Sequence, residues 1–218
     1  MMEALEKLWA LLFPPKCILC RSVLEKEETD LCRQCRKDVP VHNKSNIKLS
    51  SVARWSALWY YKDNVRKSIL RYKFGNARHY GQAYGRLLAM QLLKEQPQVL
   101  TWVPIGRKRL RRRGFDQCRV LAQTVGQELG IPAVQTLVKI KDTPPQSSIP
   151  HAHARRANVL GAYRAVDPGL VEGKRVLLLD DVITTGATVS ECAGVLRRAG
   201  AKEVICAAVA AASQDMKK

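Results

Sequence analysis

The densest chemical content lies in Val176-Leu-Leu-Leu-Asp180-Asp181-Val-Ile-Thr184-Thr185-Gly186-Ala187-Thr188. Four apolar residues run into two adjacent carboxylates. A loop of small and hydroxyl-bearing residues follows, and then a helical pattern begins. Ligands of open α/β sheets bind at the carboxyl ends of strands. Gly186 is free to take backbone angles that other residues resist. The helix start aims N–H groups and a positive dipole end back at the loop. Thr188 and Glu191 have capping-box spacing, and the hydroxyls of Thr184, Thr185 and Thr188 add donors. The run Thr184, Thr185, Gly186, Ala187, Thr188 therefore suits a phosphate monoester. Asp180 and Asp181 beside it suit two vicinal hydroxyls. A phosphate next to a cis-diol is ribose 5-phosphate. The alternative is an ordinary polar turn, but tandem acids ending a buried strand are costly without a partner. Neither G-x-x-x-x-G-K-[ST] nor G-x-G-x-x-G occurs.

The second constellation is Cys17-x2-Cys20 and Cys32-x2-Cys35, with eleven residues between the pairs. Two residues inside each pair let both sulfurs of a tight turn face one metal, and two turns complete a tetrahedron. Disulfides and a redox Cys-x-x-Cys are the alternatives. Zinc explains two such closely spaced pairs better, as a structural site with all four ligands from protein. Lys16, Arg21, Arg33, Arg36 and Lys37 would offset the thiolate charge. Cys192 and Cys206 fall in apolar patterns and read as core.

Other elements must position these groups. The 218 residues, 46% hydrophobic and 26% charged, exclude wholesale disorder and collagen-like architecture. The N-terminal apolar run, Leu8 to Phe13, is far short of the roughly 20 residues that span a bilayer, and acids precede it. No transmembrane segment and a cytoplasmic location are expected. Leu5, Leu8, Trp9 and Leu12 form a short amphipathic helix, stopped by Pro14-Pro15. It packs on the chain or, alternatively, meets a membrane or partner. Residues 41–52 read as a polar linker, so residues 1–45 form a small module and 50–213 the main domain. Strands are expected at Trp55–Tyr61, Val99–Val103, Val134–Ile140, Arg175–Leu179 and Val204–Ala210. Helices are expected at Asn64–Arg71, Tyr80–Lys94, Gln117–Leu129 and Thr188–Arg198. Residues 141–154 read as a loop. Alternating strands and helices, with the last two strands continuously apolar, indicate a parallel sheet covered on both faces.

Lys plus Arg number 37 against 19 acids, a formal net charge of +18. Residues 62–119 carry fifteen bases against Asp63, Glu95 and Asp116. Such a field attracts polyanions. Arg107-Lys-Arg-Leu-Arg-Arg-Arg113 reads as a solvated charged loop or as a track for a large polyanion, with Arg109, Arg111, Arg112 and Arg113 as candidate nucleic-acid contacts. Trp59, Tyr60, Tyr61, Tyr72 and Phe74 interleave with Lys62, Arg66, Lys67, Arg71 and Lys73. Aromatics on basic tracks suit single strands; the alternative is that most are core. His151-x-His153 has no carboxylate nearby and reads as a loop feature.

Val176 to Thr188 resembles the phosphoribosyl pyrophosphate signature of type I phosphoribosyltransferases. The whole chain resembles the ComF family of bacterial proteins linked to competence and DNA uptake. The likeness runs from Cys17–Cys35 through Pro104, Arg113-Gly-Phe-Asp-Gln117, Leu121-Ala122 and Arg156-Ala-Asn158 to the signature. Members more often carry Asn where Asp116 stands. The resemblance implies an α/β fold: a Rossmann-like parallel sheet of the type I phosphoribosyltransferase fold with a hood, behind a small N-terminal zinc-binding module. It implies Mg2+ and phosphoribosyl pyrophosphate as donor, with Asp180 and Asp181 on the ribose hydroxyls and Thr184 to Thr188 on the 5-phosphate. Pyrophosphate would lie along Pro104 to about Arg109, including Gly106 and Arg107, under a flap at 141–156. Single-stranded DNA and competence-machinery proteins are the implied partners, in an enzyme or in a binding module that senses a nucleotide sugar.

Overall fold

A computed structural model describes residues 13–43, 46–75, 77–143 and 152–212. The expected helix over Leu5–Leu12, residues 144–151 of the expected flap and the side chains of His151 and His153 lie outside the described residues. The helices are α1 (Arg33–Asp38), α2 (Asp63–Phe74), α3 (Arg78–Leu92), α4 (Arg107–Arg113), α5 (Gln117–Leu129), α6 (Ala152–Val159) and α7 (Ala187–Arg198). The strands are β1 (Arg54–Tyr60), β2 (Val99–Trp102), β3 (Leu137–Lys139), β4 (Tyr163–Ala165), β5 (Arg175–Ile183) and β6 (Glu203–Ala211). Among the described residues, no helix is long and apolar enough to cross a membrane.

Four strands form one parallel sheet in the order β1-β6-β5-β2. Strands β5 and β6 are continuously apolar because both of their faces are covered. Leu177, Leu179, Ile205, Ala207 and Val209 pack on one side with Tyr84 and Leu88 of α3 and Leu121 and Val125 of α5. Val176, Leu178, Val204, Cys206 and Ala208 pack on the other with Val189, Cys192 and Leu196 of α7. The alternation is the period of two expected of a strand. The small β3–β4 pair is antiparallel and separate from this sheet.

Several expectations need correction. Strand β5 does not stop at Leu179: Val182 and Ile183 pair with Ala210 and Ala211, so both acids sit inside a paired strand. The expected strand Val134–Ile140 shrinks to β3, whose partner β4 has too few residues to signal itself. Arg107 to Arg113 is a helix rather than a loop, as Arg, Lys and Leu favour. Gly114 closes it at φ +76, donating its N–H to Leu110 O at 2.8 Å. Residues 41–43 and 46–52, expected to be a linker, are docked on the domain. The His42 N–H bonds Leu58 O, and Ile47, Leu49 and Val52 pack on the core beside α7.

The cysteine module shares the main core. Cys17, Ile18, Leu19 and Leu31 are buried in the cluster that holds Tyr84 and Leu88. Arg71 on α2 donates to Ile18 O and Leu19 O at 3.1 and 2.6 Å. Arg86 on α3 forks onto Asp30.

Candidate functional site

The turn between β5 and α7 is built around Gly186. Its φ of +75 lies in the left-handed region that favours glycine. A side chain there would collide with Leu49 and crowd Ile47. Gly186 is also the N-cap of α7 and has no side chain with which to cap it. The helix therefore starts at Ala187, one residue earlier than expected, and Thr188 falls inside its first turn. The capping box does not form; Glu191 instead accepts the Gly161 N–H at 2.9 Å, tying the turn before β4 to α7. Asp180, Val182 and Ile183, together with Thr184 to Val189, line a cavity of about 20 Å³. That is room for about one water.

The acids stand at the mouth of this turn, each 8% exposed. Asp180 Oδ1 accepts the Asp181 N–H at 2.8 Å and the Cys118 S–H at 3.5 Å. Burial, and then the charge of Asp181, push the Asp180 carboxyl up to about 7, against the pull of Lys73. Burial and the neighbouring acids raise the Cys118 thiol well above its ordinary value, so it stays protonated and donates. Asp181 pairs with Lys73 Nζ at 2.8 Å. Burial pulls the ammonium down, but Asp181 outweighs it and the Lys73 pKa is raised. Neither Cys118 nor Lys73 stood out as a site residue in the sequence. Cys118 has no other cysteine at metal spacing in the sequence, and Lys73 falls in the run of bases interleaved with aromatics.

The segment expected to hold pyrophosphate is pinned by Asp116. One carboxylate oxygen caps α5 through the Arg119 N–H at 3.2 Å, and the other accepts the Ile105 N–H at 3.3 Å. Gly106 is buried; a Cβ there would stand 2.5 Å from Asp142 Oδ1. Arg107 is exposed. Arg109 donates to Thr143 O at 3.0 Å, and Lys139 to Thr143 Oγ1 at 2.9 Å. Lys139 also lies over the Tyr163 ring at 5.3 Å. Burial, helped by Arg109, pulls the Lys139 amine down to about 8.

The basic helix α4 has two sides. Lys108, Arg111 and Arg112 are exposed along with Arg107. Arg109 is turned inward, and Arg113 donates to Gln117 Oε1 at 2.8 Å. Arg112 and Arg113 stack over Phe74 at 5.6 and 5.1 Å. Phe74 is exposed, whereas Trp59 and Tyr72 are core.

The four module cysteines offer sulfurs that all lie within 4.8 Å of one another. Cys20 and Cys32 are 3.6 Å apart, close to the ~3.8 Å that tetrahedral Zn–S bonds of about 2.3 Å require. Cys32 Sγ accepts the Cys35 N–H at 3.4 Å. The donor set fits structural zinc.

Residues 116–218 match the phosphoribosyl transferase domain family and residues 8–46 the double zinc ribbon domain family. Competence protein F of Haemophilus influenzae is 29% identical, over 87% of this chain and 93% of that protein. DNA utilization protein YhgH of Salmonella typhi is 34% identical, over 61% of this chain and 60% of that protein. Among solved structures, the glutamine phosphoribosylpyrophosphate amidotransferase of B. subtilis is 28% identical, with a TM-score of 0.44. That match covers 62% of this chain and about a quarter (26%) of the amidotransferase chain. The chain belongs to the ComF family of competence proteins, with a domain of the type I phosphoribosyltransferase fold behind an N-terminal zinc ribbon.

Proposed function

We propose that the protein binds 5-phosphoribosyl 1-pyrophosphate with Mg2+ in the cytoplasm and transfers the phosphoribosyl group to an acceptor, in support of DNA uptake. The observation that carries this reading is the placement of two buried carboxylates directly before a glycine-capped helix start. The α7 amides and the hydroxyls of Thr184, Thr185 and Thr188 hold the 5-phosphate, and the acids accept from the ribose hydroxyls. The empty turn is tight, so the phosphate enters by displacing water and easing the loop apart. As pyrophosphate leaves C1, positive charge develops on the sugar, and the carboxylates beneath stabilise it. Gly106, Arg107 and Arg109 receive the pyrophosphate, with Lys139 beside them. Asp142, the hard oxygen donor against Gly106, is the residue that would hold Mg2+. The ion supplies charge neutralisation of the leaving group. The test is pyrophosphate release across a panel of acceptors. Release is expected with at least one acceptor and a collapse in Asp180→Asn/Asp181→Asn; release that survives in the double variant would contradict the reading.

A second reading is favoured by α4. Four exposed bases, with two arginines stacked on an exposed phenylalanine, suit the backbone and bases of single-stranded DNA. In that reading the pocket serves as a nucleotide-sugar sensor, and competence-machinery proteins are the partners.

A further inference from the structure

Lys73 sits in the last turn of α2, in a run of bases that looks like a surface track. Its side chain is 17% exposed, and its ammonium lies on Asp181. The turn that carries it is fastened on three sides. Tyr72 donates its hydroxyl to Gln117 O at 2.7 Å. Ser68 and Arg71 donate to the carbonyl of Ile18 in the cysteine module. Phe74 lies under Arg112 and Arg113 of α4. A lysine usually keeps its long stem mobile at considerable entropic gain. Here the backbone that bears it is clamped to the module, to α5 and to α4, and its end meets one oxygen.

The acid pair needs such a cation. Two adjacent carboxylates removed from water repel each other and lose hydration. Asp180 already receives an amide N–H and a thiol S–H. An ionised carboxylate accepts at about four lone-pair sites, so Asp181 can hold Lys73 and still accept a sugar hydroxyl.

We infer that Lys73 is a positioning residue of the acid pair, holding Asp181 in the orientation that accepts a hydroxyl of the sugar diol. This rests on the reading of Asp180 and Asp181 as the diol acceptors. Lys73 acts through Asp181, so its loss damages recognition of the diol and spares recognition of the phosphate.

The experiment is calorimetric titration of the full chain with ribose 5-phosphate and with its 2,3-dideoxy analogue. The native protein is expected to prefer the ribose compound at least about tenfold, as charged hydrogen bonds warrant. Lys73→Met is expected to lose about tenfold on the ribose compound and less than about threefold on the analogue. Lys73→Arg is expected to restore most of the preference, because it returns the cation. Lys73→Gln, which keeps the stem and a donor without the charge, is the second variant should Lys73→Met fail to fold, and is expected to lose at least about fivefold of the preference. Full preference in a folded Lys73→Met or Lys73→Gln overturns the inference. So does an equal loss on both ligands. A native protein with no preference for the diol refutes the underlying reading of the acids instead, which separates the two failures.

Discussion

The Cys118 thiol donates to Asp180 across 3.5 Å, from the first turn of α5 to the middle of the sheet. A protonated thiol beside a buried carboxylate favours the ionised form of that acid, yet burial and Asp181 still hold Asp180 up to about 7. Asp180 therefore takes up its proton near neutrality. If it must be ionised to accept a hydroxyl, ribose 5-phosphate binding strengthens as pH rises from about 6 to about 8. Stability moves the other way. The folded state binds the Asp180 proton more tightly than the unfolded chain does. That contribution is full below about 4 and is lost as pH rises through about 7. Asp180→Asn is expected to remove the stability trend and to leave only the part of the binding trend that comes from the ligand phosphate's own second ionisation near about 6, read by titration and urea unfolding at several pH values.

Asp116 couples a helix cap to the neighbouring loop. Asp116→Ala is expected to cost about 1–2 kcal/mol of stability, the range for a lost N-cap, and to weaken pyrophosphate binding by freeing Ile105. Asp116→Asn keeps the amide oxygen as a cap acceptor and is expected to stay within about 1 kcal/mol of the native protein. Urea unfolding and titration with pyrophosphate check both.

Gly186→Ala meets two penalties, a φ of +75 and the side chain of Leu49. It is expected to destabilise by about 1–3 kcal/mol and to abolish binding of ribose 5-phosphate. Adding Leu49→Ala relieves the collision but not the backbone strain, so the double variant recovers part of the stability. Native stability in Gly186→Ala would show that the turn is not built as described.

Elemental analysis is expected to give about one zinc per chain. Chelation removes the metal from a module whose apolar residues share the main core. The thermal midpoint should fall, and ribose 5-phosphate binding should weaken, because Arg71 loses the Ile18 and Leu19 carbonyls that help fasten α2. Unchanged binding after complete zinc loss would uncouple the module from the site.

For single-stranded DNA, replacing Arg107, Lys108, Arg111 and Arg112 with Ala is expected to lower the salt slope of binding by about 3, at ~0.7 per phosphate contact. Arg109→Ala is expected to leave that slope alone, since its guanidinium is turned toward Thr143.

The sheet, the cysteine quartet and the strand–turn–helix were legible because each writes a local pattern: an apolar run, a Cys-x2-Cys spacing, tandem acids before a glycine. Helix α5 ends at Leu129 because Gly130 takes φ +68, a stop written in one residue. Lys73, Cys118 and Glu191 were not legible in this way. Lys73 meets Asp181 across more than a hundred residues of chain, and nothing around Tyr72-Lys73-Phe74 distinguishes an inward ammonium from an outward one. Strand β4 was missed because three residues carry almost no periodicity. The docked segment before β1 was missed because its polar residues outnumber Ile47, Leu49 and Val52, although those three are what pack.

The central claim is that the β5–α7 turn and its two acids grip a sugar phosphate. Calorimetric titration with 5-phosphoribosyl 1-pyrophosphate and Mg2+ tests it most directly, in the native protein and in Asp180→Asn/Asp181→Asn. Saturable binding by the native protein that falls at least about a hundredfold in the double variant is the predicted result, two charged acceptors being lost. Equal affinity in both proteins, or no heat of binding in the native one with its fold intact, would contradict it.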